Sequence, residues 1–280
     1  MIDFDHDTST AQAAVTAAER RKLPVPQTIY DTAAMWDVIM DASHKRVDTK
    51  PGRDDVPETA AELAALIEER AHQHRIAEAH RAIAGDYREP VARRYNQLVR
   101  DHAPGWIRGL QPDFLALVKV LTKQEKKLPT LLDARRLDMR DPAISAPWQA
   151  AEAAAIQLDQ LVSDRQIIAR ATGSDLGKDA ELFAVARIEE PSTADVFAHK
   201  LRDDVGPALR EWRDLRHQPV SRWLYLARSP HLELTLATPG EVTQRQATID
   251  RWHKAIEVVM STGLSGQAAQ RGVEQALRAA

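Results

Sequence analysis

Residues 58–84 read ETAAELAALIEERAHQHRIAEAHRAIA, and this stretch decides the fold class. It has no proline or glycine and is rich in alanine, glutamate and arginine, which favour helix. Leu63 and Ile67 share one helical face, whereas Ile76 and Ile83 lie on another. We therefore predict a long helix that packs on different neighbours along its length.

The same alternation of helical stretches and breakers covers most of the chain. We expect Gly85 to end the first long helix and Pro104-Gly105 to break the next, while Gly206-Pro207 kinks a later one. Capping boxes start at Ser192 and Thr238. The expected helices span approximately residues 11–22, 32–45, 58–84, 90–102, 112–127, 147–171, 179–190, 192–215, 238–259 and 266–279.

One segment favours strand over helix. Residues 223–238 begin with an apolar run, pass through Arg228-Ser229-Pro230, and continue with leucines alternating with polar residues. We interpret this segment as a β-hairpin. The predicted fold class is therefore mainly all-α, with antiparallel helical bundles and one small β-hairpin near 223–238.

The predicted organisation has three parts. Residues 47–57, VDTKPGRDDVP, are the clearest linker and close an N-terminal arm spanning 1–57. A helical domain with a basic surface is expected over 58–142, and a second helical domain with the hairpin over 143–280. Because the arm is acidic and rich in proline, we expect it to contribute little to the stability of one subunit and to wrap a neighbouring one.

Composition excludes several classes of protein. Cysteine is absent, which excludes disulfides, thiolate metal sites and a cysteine nucleophile. No apolar run approaches the roughly 20 residues of a membrane helix, and the acidic start does not resemble a signal peptide. We expect a cytoplasmic protein that does not contact membranes.

Charge is distributed unevenly along the chain. Residues 1–87 hold 10 Lys+Arg against 16 Asp+Glu, whereas residues 88–140 hold 12 against 6, so a basic segment follows an acidic one of equal and opposite net charge. Such a segment can contact phosphates or an acidic protein surface. The candidate contact residues are Arg93, Arg94, Arg100, Lys119, Lys123, Lys126, Lys127, Arg135 and Arg136.

Motifs for chemistry are weaker. Acid-x-x-His pairs suit metal binding on a helix, but a di-iron bundle needs two Glu-x-x-His motifs and further glutamates, and only Glu69/His72 has that form. Residues 173–179 resemble a phosphate-binding loop with wrong glycine spacing and an aspartate after the lysine. We expect no catalytic residue, cofactor or metal. The acid–histidine pairs are Asp3/His6, Asp41/His44, Glu69/His72, Asp214/His217 and Asp250/His253.

Three functional hypotheses remain. The first is a non-enzymatic structural, assembly or adaptor protein that acts through helical interfaces with a protein partner or with itself, for which a phage-like particle is one setting. The alternative is a nucleic-acid-associated protein using the 88–140 surface. The third is a helical metalloenzyme.

Overall fold

The computed structural model describes residues 7–45, 56–129, 137–173, 180–229, 231–261 and 266–278. The first five helices are α1 Ser9–Arg20, α2 Gln27–His44, α3 Ala60–Gly109, α4 Gln111–Glu125 and α5 Pro142–Arg170. Next come α6 Ala180–Phe183, strand β1 Ala186–Ile188, α7 Thr193–Phe197, a π-helix Leu201–Val205 and α8 Gly206–Asp214. The chain continues with α9 Pro219–Arg228, β2 Leu232–Leu234, α10 Pro239–Ser261 and α11 Gly266–Arg278. The predicted fold class, mainly α with one small antiparallel sheet, is confirmed.

Helix α3 is far longer than predicted. It runs unbroken for 50 residues, about 75 Å, through Gly85, Pro90 and Pro104. The expectation that Gly85 and Pro104-Gly105 would end two separate helices was wrong. A helical glycine costs only about 1 kcal/mol, and burial of Tyr95 and Trp106 in the core offsets the hydrogen bonds that the prolines remove.

The small sheet is built differently from the predicted hairpin. Residues 219–228 form helix α9, and β2 pairs antiparallel with β1, with Ala186 opposite Leu234 and Ile188 opposite Leu232. The predicted hairpin over 223–238 was therefore wrong, and the predicted helix over 179–190 is limited to Ala180–Phe183. A short apolar run such as Trp223–Leu226 does not distinguish a buried helix from a strand, and the partner strand is more than 40 residues away.

Helix α1 belongs to the core. One cluster of buried side chains extends from α1 through α3, α4 and α5 to α9, α10 and both strands. Ala14, Ala17 and Ala18 are fully buried, and α1 packs mainly on α5. Their small side chains let the helices approach closely but give a weak hydrophobic signal in sequence. The structure thus runs against the expectation that the N-terminal segment adds little to the stability of one subunit.

Polar contacts fix the same helix. The Nε of Arg21 donates to the carboxylate of the buried Asp164 at 2.5 Å, and Arg20 lies 3.1 Å from its other oxygen. The indole of Trp106 donates to the carbonyl of Pro24 at 2.9 Å. Residues 47–55 of the predicted linker lie outside the described residues, and the division into three parts stays a prediction.

Both predicted capping boxes are confirmed. Ser192 and Asp195 exchange hydrogen bonds at the start of α7, and Thr238 and Glu241 do so at the start of α10. The kink predicted at Gly206-Pro207 coincides with the change from the π-helix to α8.

We expect Asp195→Asn to cost about 1–2 kcal/mol of stability at neutral pH. The pKa of Asp195 is lowered to about 2, first by a hydrogen bond from Lys200 and then by one from Ser192. This pKa lies below the ordinary 3.8, so the Asp195 carboxylate stabilises the folded state fully above about pH 3.8, and this stabilisation is lost as the pH falls towards 2. In urea unfolding, the difference in free energy of unfolding between wild type and variant should become smaller as the pH falls from 5 to 3. The exposed Asp203→Asn is the control, and a gap independent of pH would contradict this account.

Candidate helical docking surfaces

Helices α2 and α3 form a pair that carries much of the exposed apolar surface. Helix α2 packs mainly on α3, and none of residues 60–76 of α3 is buried. Of fifteen exposed large apolar side chains among the described residues, eight lie on these two helices. Contiguous apolar patches on a protein surface are typical of interaction sites. The eight are Tyr30, Met35, Val38, Leu63, Ile67, Ile76, Ile83 and Tyr87.

Helix α3 has two apolar faces over residues 76–87. Ala77 and Ala84 are buried on the side where α2 packs. Ile76, Ile83 and Tyr87 are 41%, 57% and 59% exposed. At about 100° per residue, the second group lies roughly 90° around the helix from the first. Helices in four-helix bundles contact two neighbours through two such adjacent faces, so α3 has room for another helix.

The outer face of α2 is acidic and apolar. Thr32 and Ile39 are buried towards α3, whereas Asp31, Val38 and Asp41 are exposed on the opposite side. Val38 is 68% exposed. Asp37 is also exposed, and α2 contains no lysine or arginine.

The outer face of α4 and the turn that follows it carry the predicted lysines. All four of Lys119, Lys123, Lys126 and Lys127 are exposed, opposite Leu121, which is fully buried. No ion pair between described residues engages these lysines. By contrast, Arg228 binds Glu125 at 2.6 Å and the carbonyls of Leu128 and Pro129, which anchors the end of α4.

The predicted arginines lie apart from the lysines. Arg93, Arg94 and Arg100 are exposed on α3, and Arg93 pairs with Glu89 one turn earlier. Helices α3 and α4 contact each other little. Tyr95 is buried and therefore offers no ring for stacking on a base. Arg135 and Arg136 lie outside the described residues.

The acid–histidine pairs do not converge. Glu69 and His72 are both exposed, and Glu69 accepts a hydrogen bond from Gln73. Within the described ranges, no group of three or more potential metal ligands is present. Asp3, His6 and residues 174–179 lie outside those ranges.

One fully buried and one half-buried arginine were missed in the sequence. Arg165 of α5 is completely buried, and its Nε donates to the carbonyl of Ala237 at 2.9 Å, while its two terminal nitrogens have no hydrogen-bond partner among the described residues. Arg245 of α10 donates to the carbonyls of Phe183 and Thr235. Burial lowers the pKa of each arginine to about 10. Residue 165 continues the apolar spacing of α5, which is the signal that could have identified it.

A cleft of about 760 Å³ lies beside Arg245, between the sheet and α10. Its charged lining is largely paired internally, since Arg187 binds Glu233 at 2.5 Å and Arg251 binds Glu190 at 2.8 Å. These pairs leave little net charge to recognise an ionic ligand. The exposed helical faces are therefore the stronger candidates.

No family model matches the chain, and no curated protein or solved structure is significantly similar to it. Within the described ranges, every helix is too short or too polar to span a bilayer.

Proposed function

We propose that this protein is a non-enzymatic assembly component, acting in the cytoplasm, whose copies join through the α2–α3 pair. The observation that carries the proposal is the second apolar face of α3, formed by Ile76, Ile83 and Tyr87 beside the face that α2 covers. Packing two α2–α3 pairs across a two-fold axis completes a four-helix bundle and removes this surface from water.

The residues of α3 favour an antiparallel pairing of two copies. In a pair centred between residues 81 and 82, Ile76 lies opposite Tyr87 of the second copy. The same register places the exposed Glu69 of each copy opposite the exposed Arg94 of the other, so each end of the interface holds one pair of opposite charges. Apolar contacts in the middle with ion pairs at the rim are typical of helix–helix interfaces.

We expect Ile83→Glu to weaken self-association at least about ten-fold, because it places a carboxylate in the middle of the interface. Ile156→Glu on α5 is the matched control, since Ile156 is 47% exposed and lies outside the pair. Sedimentation velocity of the full chain at about 500 mM salt, which screens contacts between surface charges, should show a dimer for wild type and for the control, and monomer for Ile83→Glu. Equal behaviour of the two variants, or a monomeric wild type at about 100 µM, would refute the proposal.

The lysines of α4 favour a second candidate, association with nucleic acid. They are exposed, lie on one face and have no ion pair within the described residues. The buried Tyr95 and the separate arginines of α3 give this candidate less support.

A further inference from the structure

We propose that the acidic outer face of α2 in one copy docks on the lysine face of α4 in a second copy. This inference rests on the proposed assembly function and deepens it by naming a second contact, distinct from the α3–α3 pairing. Each surface combines unpaired charges of one sign with exposed apolar side chains, and the two signs are opposite.

The acidic surface is formed by Asp31, Asp37, Val38 and Asp41. Asp31 accepts a hydrogen bond from Gln27 at 3.0 Å, and among the described residues none of the three aspartates forms an ion pair. Val38 lies between them and is among the most exposed apolar residues, at 68%. Three unneutralised carboxylates around an exposed valine favour a partner that supplies both cations and apolar contact.

The basic surface of α4 supplies both the cations and the apolar contact that the acidic surface needs. Its lysines run along the middle of the exposed face, with Leu115 on one side and Val120 on the other. These two apolar side chains are 45% and 41% exposed. Lysine side chains also contribute their own methylene groups to a contact while the ammonium group stays near water.

The two surfaces are similar in length. Asp31 and Asp41 are ten residues apart, about 15 Å along α2, whereas the lysines extend from Lys119, about 9 Å before the end of α4, into the turn at Lys126 and Lys127. Opposite charges spread over similar lengths allow side-by-side docking of α2 and α4 and exclude like-charged alternatives. Nucleic acid would satisfy the lysines but leave the acidic face uncovered, whereas a second copy satisfies both.

The contact joins two different faces and is therefore heterologous. When the α2 face of one copy has bound a neighbour, the α4 face of that copy can still bind a second neighbour. Repetition of this contact produces a ring or a filament, depending on whether the rotation between copies closes. Dimers joined through α3 would thus grow into larger assemblies, and growth would weaken with salt because the paired charges lie near the surface.

Complementary charge reversal tests the proposal. One variant carries Lys119→Glu, Lys123→Glu and Lys126→Glu, and the other carries Asp31→Lys, Asp37→Lys and Asp41→Lys. All six residues are exposed, so circular dichroism should be unchanged. Sedimentation velocity of the full chain at 150 mM salt should show association beyond the dimer weakened about ten-fold or more in each variant.

Mixing the two variants should restore association, because the acidic α4 of one then meets the basic α2 of the other. The control carries Arg170→Glu, Arg271→Glu and Arg278→Glu at exposed positions elsewhere. It changes the net charge by the same amount and sign as the lysine variant, and it should associate as wild type does. Wild-type association in either reversed variant, or a mixture that fails to recover, would overturn the α2–α4 contact.

Tight binding of wild type to random-sequence DNA at 150 mM salt, lost in the lysine variant, would overturn the α2–α4 contact in favour of nucleic acid. The Ile83→Glu variant tests the α3 pairing independently of the charge-reversed variants. If Ile83→Glu loses association while the charge reversals have no effect, the α2–α4 contact is wrong but the assembly function stands.

Discussion

Replacing Ala14 by glutamate should lower the thermal midpoint of the protein by about 6–20 °C. Ala14 is fully buried on α1, where it packs in the core shared with α3 and α5. A carboxylate at this position has no space and no partner, and the expected loss is on the order of 3–5 kcal/mol. In a chain of this length, each kcal/mol lowers the midpoint by about 2–4 °C.

Ala13→Glu is the matched control, because Ala13 neighbours Ala14 but is exposed. It should leave the midpoint within about 2 °C of wild type, as surface substitutions on helices usually do. Differential scanning calorimetry of both variants decides whether α1 stabilises its own subunit. Equal thermal midpoints of the two variants would instead support the prediction that the N-terminal arm contributes little to the stability of one subunit.

Replacing Trp223 by alanine should cost on the order of 4 kcal/mol, and so lower the midpoint by about 8–16 °C. This tryptophan is fully buried on α9 and packs edge-on against Phe114 and Trp212, with ring centroids 6.1 and 5.2 Å away. Its indole also donates to Asp159 at 2.8 Å. The substitution removes the ring, opens a cavity and leaves the carboxylate without this donor.

Trp223→Phe separates packing from hydrogen bonding. Phenylalanine keeps an aromatic ring between Phe114 and Trp212 but cannot donate to Asp159, so we expect a loss of only about 1–2 kcal/mol. Chemical denaturation of the two variants measures this difference directly. A small effect of Trp223→Ala would contradict the helical, buried placement of this residue.

Local signals in the sequence predicted local structure well. The capping boxes at Ser192 and Thr238 mark real helix starts, because the side-chain hydrogen bonds that define them act within four residues. The spacing of Lys119 and Lys123 likewise placed both on one side of α4, since helical periodicity fixes which side chains share a face, and Lys126 follows as the C-cap of that helix.

Features that depend on distant partners were not predictable. Gly85 and Pro104 read as helix breakers, yet tertiary packing elsewhere on α3 holds the helix through them. The strand β1 exists because β2 pairs with it across more than 40 residues, and nothing near Ala186 indicates this partner. The role of Ala14 in the core was hidden because alanine suits a buried and an exposed helical position equally well.

The most direct test of assembly through α3 is hydroxyl-radical footprinting of Tyr87 in wild type at about 1 and 100 µM. Tyr87 is 59% exposed in a single copy, and Met260 of α10, at 76%, lies outside the proposed interfaces. The proposal predicts that oxidation of Tyr87 falls several-fold at the higher concentration while oxidation of Met260 stays constant. Equal oxidation of Tyr87 at both concentrations would contradict assembly through this face.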